Sequence, residues 1–177
     1  MKEAIFAKLN NKYRMEVKQK MWMNSPIGTI ELEGSDKGLS SLIFVEDVKI
    51  SPHTPPLLKE AHKQLKEYFD GKRKEFSLEL DLQGTEFQLK VWNKLLEIPY
   101  GKTISYLQLA KNLGDPKSIR AAGTANGRNP VSIIVPCHRV IGSDGKLVGY
   151  GGGLWRKDWL LKHENNWFKN DLFSQGL

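Results

Sequence analysis

The apolar residues of this chain change their repeat once, near Gln83-Gly84, and that change limits the available folds more than any other feature. Ahead of it, side chains alternate in Met21-Trp22-Met23 and Thr29-Ile30-Glu31-Leu32-Glu33, and Leu42 to Val45 is a short apolar run, so three strands are predicted. Ser25-Pro26-Ile27-Gly28 and Ser35-Asp36-Lys37-Gly38 supply turn residues on either side of the middle strand, which makes the three an antiparallel meander. From Pro56, the positions Leu57, Ala61, Leu65, Tyr68 and Phe69 fall at helical spacing and stop at Gly71, a C-terminal cap, before Phe76-Ser77-Leu78-Glu79-Leu80 alternates again. The first twenty residues are basic and fit neither period.

Behind Gln83-Gly84 the period is helical. Thr85 with Gln88 forms a capping box, and Phe87, Val91, Trp92, Leu95 and Leu96 form a stripe that ends at Pro99. A second box, Ser105 with Gln108, opens a short helix through Leu109 and Leu113 that Gly114-Asp115-Pro116 closes. A third helix starts near Ser118, and a last one runs from Leu154 to His163 with Glu164 at its end. Short capped helices joined by a glycine-containing turn are the sequence form of a helix-turn-helix, the helix near Ser118 being its recognition helix. The expected class is α+β, with a small α/β domain at 1–82 and a mainly helical domain at 83–177.

Composition narrows the setting. With 177 residues, 40% of them hydrophobic, the chain can bury a core, and no uninterrupted apolar run exceeds four residues, far short of the roughly 20 of a membrane span. A soluble, unexported protein with no membrane partner is expected. Its only cysteine, Cys137, excludes an internal disulfide and a multi-cysteine zinc site, and a reducing cytoplasm is the natural compartment. The net charge of +7 is uneven: residues 83–177 carry thirteen basic and seven acidic side chains, against fourteen and thirteen before them. Pro116 to Ser143 holds Lys117, Arg120, Arg128 and Arg139 and no acid, which suits an anionic partner or a solvated basic face.

The recognition helix is unusual in content. Arg120-Ala121-Ala122-Gly123-Thr124-Ala125 offers one long cation and almost no base-reading side chains, whereas a major-groove reader carries Asn, Gln and Arg. Small residues permit close backbone approach and one long side chain can wedge into a stack, which points to the minor groove; the alternative is that the alanines pack on a neighbouring helix.

After Asn129-Pro130 and Val131-Ser132-Ile133-Ile134-Val135 comes Pro136-Cys137-His138-Arg139-Val140. A thiol attacks as thiolate, and nearby cations or a base depress its pKa, so Cys137 is expected to react well below the usual thiol value of about 8.5. The alternative is an inert buried cysteine. Adjacent residues of an extended chain point to opposite faces, so a bent loop or a bridging water is needed between Cys137 and His138. Glu164, beside a second histidine, can orient His138 if its helix docks on the loop, or can remain a solvated helix end.

Pro-Cys-His-Arg-Val at 136–140, preceded by Asn129-Pro130-Val131 and followed by Tyr150-Gly151-Gly152-Gly153 and Trp159-Leu160-Leu161-Lys162-His163-Glu164, resembles the O6-alkylguanine-DNA alkyltransferases, or methylated-DNA-protein-cysteine methyltransferases. The resemblance covers residues 84–164. It implies a ribonuclease H-like N-terminal domain and a winged-helix-like C-terminal one. It implies Cys137 as alkyl acceptor, His138 as water-mediated base, Glu164 as its orienter, and Tyr106 as the residue that helps turn the flipped nucleotide and protonates the departing guanine. Asn129 becomes the hinge to the cysteine loop and Arg120 the finger filling the vacated stack, with Ala121, Ala122, Gly123, Lys117, Arg128 and Tyr106 on the DNA. Tyr150, Gly151, Gly152, Val140 and Ser132 border the base pocket, although some members carry a hydroxyl residue in place of Gly151 and a proline in place of Ser132.

The implied reaction is irreversible transfer from O6-alkylguanine, and from O4-alkylthymine, in double-stranded DNA, by a monomer, without metal or cofactor. The compartment is cytoplasmic, nucleoid-associated in a prokaryote and nuclear in a eukaryote. A lesion-recognising helix-turn-helix protein without chemistry, or a Cys-His hydrolase, are the alternatives; retention of the cysteine opposes the first and the DNA-binding features oppose the second.

Overall fold

The computed structural model describes residues 17–47 and 50–174, with side chains as far as residue 165. Strands β1 (Gln19–Ser25), β2 (Gly28–Ser35) and β3 (Gly38–Val45) form the antiparallel meander in the order β1-β2-β3. Met21 faces Leu32 and Met23 faces Ile30 across the first pair, and Leu32 faces Leu42 across the second, so one face of the sheet is the apolar one. Gly28 (φ 107°) and Gly38 (φ 137°) turn the chain between strands, in backbone conformations that favour glycine. Helix α1 (Lys59–Phe69) covers that face with Ala61, Leu65 and Tyr68, and the chain leaves it at Gly71 (φ 70°). Leu58 is buried and Leu57 is 42% exposed, because a 3-10 turn at Pro56–Leu58 precedes the helix and shifts its apolar register. The alternating segment Phe76–Leu80 is not a strand: a single bridge pairs Leu80 with Leu39, since the chain touches the outer strand there and then leaves it.

The C-terminal domain is helical. Helix α2 (Glu86–Leu96) has both halves of its capping box, with Thr85 accepting from the Gln88 amide and Gln88 accepting from the Thr85 amide. Its buried stripe is narrower than the pattern suggests: Val91, Trp92 and Leu95 are inside, while Phe87 and Leu96 are 37% and 44% exposed. Strand β4 (Ile104–Ser105) leads into α3 (Tyr106–Asn112), where Ser105 caps as expected but Gln108 turns away to Asn112 Oδ1 at 2.8 Å, leaving half a box. Gly114 (φ 91°) and a 3-10 turn at Pro116–Ser118 set α4 (Ile119–Gly127) against α3, which is the helix-turn-helix. The Trp92 indole donates to the Ala125 carbonyl at 2.9 Å and ties α4 to α2. Strand β5 (Val140–Ile141) pairs in parallel with β4, and α5 (Leu154–Ser174) closes the domain. Helix α5 runs ten residues past Glu164, so that carboxylate sits within the helix rather than at its end.

The two domains share one core. The outer strand β3 hydrogen-bonds residues 130–132, Leu42 donating to the Pro130 carbonyl and accepting from the Ser132 amide, both at 2.9 Å. Among the described residues no helix is long and apolar enough to cross a membrane.

Candidate active site

Three sharp local turns place the cysteine. Asn129, at the foot of α4, accepts from the Val131 amide through Oδ1 at 3.0 Å. Ile133 is buried at φ 70°, and the Ile134 amide donates to the Ser132 carbonyl at 2.8 Å around it. A β-branched residue in that region costs on the order of 1–3 kcal/mol. A second such bond, from the Cys137 amide to the Val135 carbonyl at 2.8 Å, bends the chain again before the 3-10 turn at Cys137–Arg139. These bends release Cys137 and His138 from the opposite-face geometry of an extended chain.

The Asn129 amide then spans the loop. Its Nδ2 donates to the Val135 carbonyl at 2.7 Å and to Cys137 Sγ at 3.1 Å. Cys137 is 5% exposed, and burial pushes its thiol above the ordinary value although the Asn129 hydrogen bond and the nearby Lys157 charge oppose the rise. Desolvation thus opposes the thiolate in the free protein, against the stabilisation that its neighbours offer.

His138 Nε2 lies 2.8 Å from Glu164 Oε1, and both side chains are fully buried. Glu164 is more heavily held than an orienter requires. Oε1 also accepts from Tyr68 Oη and Arg139 Nη2, and Oε2 accepts from the Gly101 amide and Arg139 Nε, each at 3.0 Å. Burial alone would raise this carboxyl, but hydrogen bonds from His138 and Arg139 and the Arg139 charge outweigh it and hold the group well below the ordinary range. Burial lowers the imidazole pKa, against the pull of Glu164, so His138 is neutral near pH 7. A neutral imidazole beside a carboxylate carries its proton on the nitrogen that faces it, which leaves Nδ1 as an acceptor; Nδ1 is buried with no protein partner.

Arg139 is 6% exposed, held by Glu164 and by the Ile98 carbonyl at 2.6 Å. It does not belong to the solvent-facing cations of the acid-free window. Lys117, Arg120 and Arg128 are exposed and do. On α4, Ala121 is exposed, whereas Ala122 is fully buried and packs in the core, so the packing alternative holds for Ala122 and Ala125. Gly123 faces Tyr106: a Cβ there would meet the ring at 3.6 Å.

Tyr106 donates its hydroxyl to the Val148 carbonyl at 3.0 Å, in the loop that leads to Tyr150. Tyr150 packs on Phe44 with ring centroids 6.5 Å apart. A Cβ at Gly152 would come within 2.7 Å of the Phe44 ring, whereas at Gly151 the nearest atom is the Gly127 carbonyl oxygen at 3.8 Å. Val140 is buried behind the cysteine, and Ser132 is half-buried on the β3 edge.

Two buried groups escaped the sequence reading. Lys157 is fully buried, and its ammonium donates to the carbonyls of Val140 at 2.6 Å, Val148 at 2.8 Å and Gly149 at 3.3 Å, pinning the loop to α5. Burial brings its pKa down to about 8. Its only signal in the sequence is its place four residues after a glycine run. Tyr68 reads there as a core position of α1, and nothing local reveals its hydroxyl contact.

Comparison with known proteins yields consistent matches. The model of the 6-O-methylguanine DNA methyltransferase DNA-binding domain matches residues 86–166, and that of the 6-O-methylguanine DNA methyltransferase ribonuclease-like domain matches residues 20–82. A methylated-DNA–protein-cysteine methyltransferase of Methanosarcina barkeri is 49% identical over 150 residues, covering 81% of this chain and 95% of that protein. One of Mycobacterium bovis is 48% identical over 155 residues, covering 85% and 94%. Among solved structures, the Mycobacterium tuberculosis OGT in complex with DNA superposes with a TM-score of 0.77 at 48% identity, covering 84% of this chain and 93% of that one.

Proposed function

Because the chain belongs to the O6-methylguanine DNA methyltransferase family, we propose that it repairs DNA by moving an alkyl group from guanine O6 onto Cys137. The observation that carries this reading is the arrangement of Cys137 and His138. The thiol sits in a bent, buried loop with an amide donor on sulfur, and the adjacent imidazole has Nε2 fixed on Glu164 and Nδ1 buried and open. A water between Sγ and Nδ1 satisfies that nitrogen and carries the thiol proton to it. The sulfur then bonds to the alkyl carbon, the carbon–O6 bond breaks, and its electron pair stays with the guanine, which takes a proton from the Tyr106 hydroxyl. The product is a thioether, which lacks the carbonyl that would let water cleave it. The protein acts once.

The burial of Cys137 supports a coupled order of events, in which base entry precedes thiolate formation. An alkyl group on O6 inside a duplex cannot line up with a buried sulfur, so the nucleotide must be extruded, at a cost of a few kcal/mol. The exposed face of α4, with Arg120 and Ala121 and no base-reading side chain, supports minor-groove binding in which Arg120 fills the vacated stack. Lys117 and Arg128 are proposed phosphate contacts, and Tyr150, Gly151 and Gly152 the pocket rim. O4-alkylthymine is a second proposed substrate of the same pocket, and the protein is proposed to act as a cytoplasmic monomer.

Intact-mass measurement after incubation with excess O6-methylguanine duplex tests the proposal. One added methyl, mapped to Cys137, is expected; multiple turnovers per molecule, or a methyl elsewhere, overturn it. In the same assay Arg120→Ala should slow transfer from duplex DNA and leave reaction with the free alkylated base nearly unchanged, whereas equal slowing on both would assign Arg120 to the fold.

A further inference from the structure

The N-terminal domain holds none of the residues assigned to the chemistry, yet one of its side chains enters the buried cluster behind Cys137. Tyr68, on α1, is fully buried, and its ring packs against Phe69, Phe76, Tyr100 and His163 with centroids 5.4, 5.5, 6.2 and 5.1 Å away. Both of its polar ends meet α5: the carbonyl is 2.8 Å from His163 Nε2, and the hydroxyl is 3.0 Å from Glu164 Oε1. The oxygen matters here. Oε1, and not Oε2, is the atom facing His138 Nε2, so Tyr68 and His138 share one acceptor.

We propose that Tyr68 is a positioning residue for alkyl transfer: its hydroxyl, presented by the N-terminal domain to the carboxylate oxygen that holds His138, sets the direction and the basicity of that imidazole. The inference rests on the function proposed above. Five donors converge on Glu164, which leaves the fully buried carboxylate a single orientation. A hydrogen bond to an ionised acceptor is about twice as strong as a neutral one, and in a low-dielectric interior each donor weakens the oxygen's pull on the others. The tyrosine hydroxyl is a dependable donor, since burial and the neighbouring Glu164 charge push its ionisation well above the ordinary range. Without it, Oε1 carries more negative charge toward His138 and the imidazolium becomes the more stable form.

The charged and titratable groups facing this pair are few. Glu164 and Lys157 on α5 and Arg139 in the cysteine loop act on His138, while Glu164, Tyr100 and Arg139 act on Tyr68 and His163 packs on its ring at 5.1 Å. All except Tyr68 belong to the C-terminal domain. The hydroxyl is thus a side-chain link through which docking of the first domain alters the chemistry of the second.

The test is Tyr68→Phe, which keeps the ring in its aromatic cluster and removes only the hydroxyl. Single-turnover transfer from O6-methylguanine duplex is expected to fall about tenfold with DNA affinity unchanged, because Tyr68 is buried away from α4. The acid limb of the transfer rate should move to higher pH, since a more basic His138 is protonated earlier and a protonated base accepts nothing. Phe76→Leu, which loosens the cluster without touching the hydroxyl, should lower the melting temperature and leave that limb in place. In a Glu164→Gln background Tyr68→Phe should add little; independent, additive losses, or an unmoved acid limb, overturn the proposal.

Two further arms separate the possible failures. NMR of the unmutated protein should show His138 with its proton on Nε2 and a slowly exchanging Tyr68 hydroxyl, and the absence of either overturns the proposal whether or not the variant folds. If the unmutated protein takes no methyl from DNA, the functional reading has failed, while the acid limb of Cys137 alkylation by iodoacetamide still reports on Tyr68.

Discussion

Arg139 shows how little a charge says until its surroundings are known. It stands in the acid-free stretch from Pro116 to Ser143, two residues from the cysteine, and reads as a phosphate contact. Its guanidinium instead forms two hydrogen bonds with Glu164 and one with the Ile98 carbonyl, behind the site and away from solvent. The planar fork of arginine suits a carboxylate of fixed orientation, and a lysine there would not reproduce it. The consequence is measurable in DNA binding. With Lys117 and Arg128 as the exposed cations of this window left for phosphates, log K against log salt should fall with a slope of roughly −2, where each neutralised phosphate contributes about −0.9. Either of the two replaced by alanine should reduce the slope by about one unit. A slope near zero would show that the affinity is not electrostatic.

At the scale of elements, helices fix positions and turns fix chemistry. Helices α2 and α3 are held by side-chain caps and α4 by the Trp92–Ala125 hydrogen bond, and they present Tyr106 and the exposed face of α4 on one side. The reactive atoms lie on the connection that follows, where Asn129 replaces regular pairing with its own side-chain bonds. The glycine loop is equally specific. Gly152 faces the Phe44 ring with no room for a methyl group, whereas a methyl group at Gly151 would make only an ordinary contact with the Gly127 carbonyl oxygen at 3.8 Å. Gly151→Ser should therefore fold normally and keep full single-turnover activity on methylated DNA, and Gly152→Ala should displace Phe44 or the loop and slow transfer at least tenfold. Equal behaviour of the two variants in that assay would refute this account of the rim.

Several contacts join the two domains. Residues 130–132 pair with the outer strand, Tyr68 meets Glu164, and Arg156 donates from α5 to the Ile27 carbonyl at 2.7 Å. The buried ionisable groups at this junction give the fold a definite response to acid. Glu164 is held well below its ordinary value of 4.5, so its contribution is complete above that value and is lost as the pH falls through it. His138 is depressed by burial from 6.5, so the unfolded chain takes up a proton below that pH that the folded one refuses, and stability again falls with pH. Both act in the same direction. Urea denaturation should show stability nearly constant from pH 8 to 7, falling below about 6.5 and more steeply below about 4.5. Glu164→Gln should flatten the steeper part, and a stability that is level from pH 7 to 4 would contradict the assignment.

The sequence by itself determined what local chemistry decides. Alternation and turn residues specify the meander, the Thr85 and Ser105 caps specify where helices begin, and Pro-Cys-His-Arg-Val with its flanking asparagine and glycines specifies the proposed reactive residues, because these features act within a few positions of the residues that carry them. Only the tertiary structure decided which groups the site is built against. Glu164 became the centre of the cluster through the docking of α5, Arg139 turned inward, Ala122 turned into core, and Phe76–Leu80 kept one bridge of an expected strand. The resting thiol rose although its sequence neighbours are basic, since burial is a property of the packed whole. Tyr68 and Lys157 were invisible for the same reason: their partners lie far along the chain or on bare backbone carbonyls, and no pattern of side chains encodes a contact that two separately folded surfaces make when they meet.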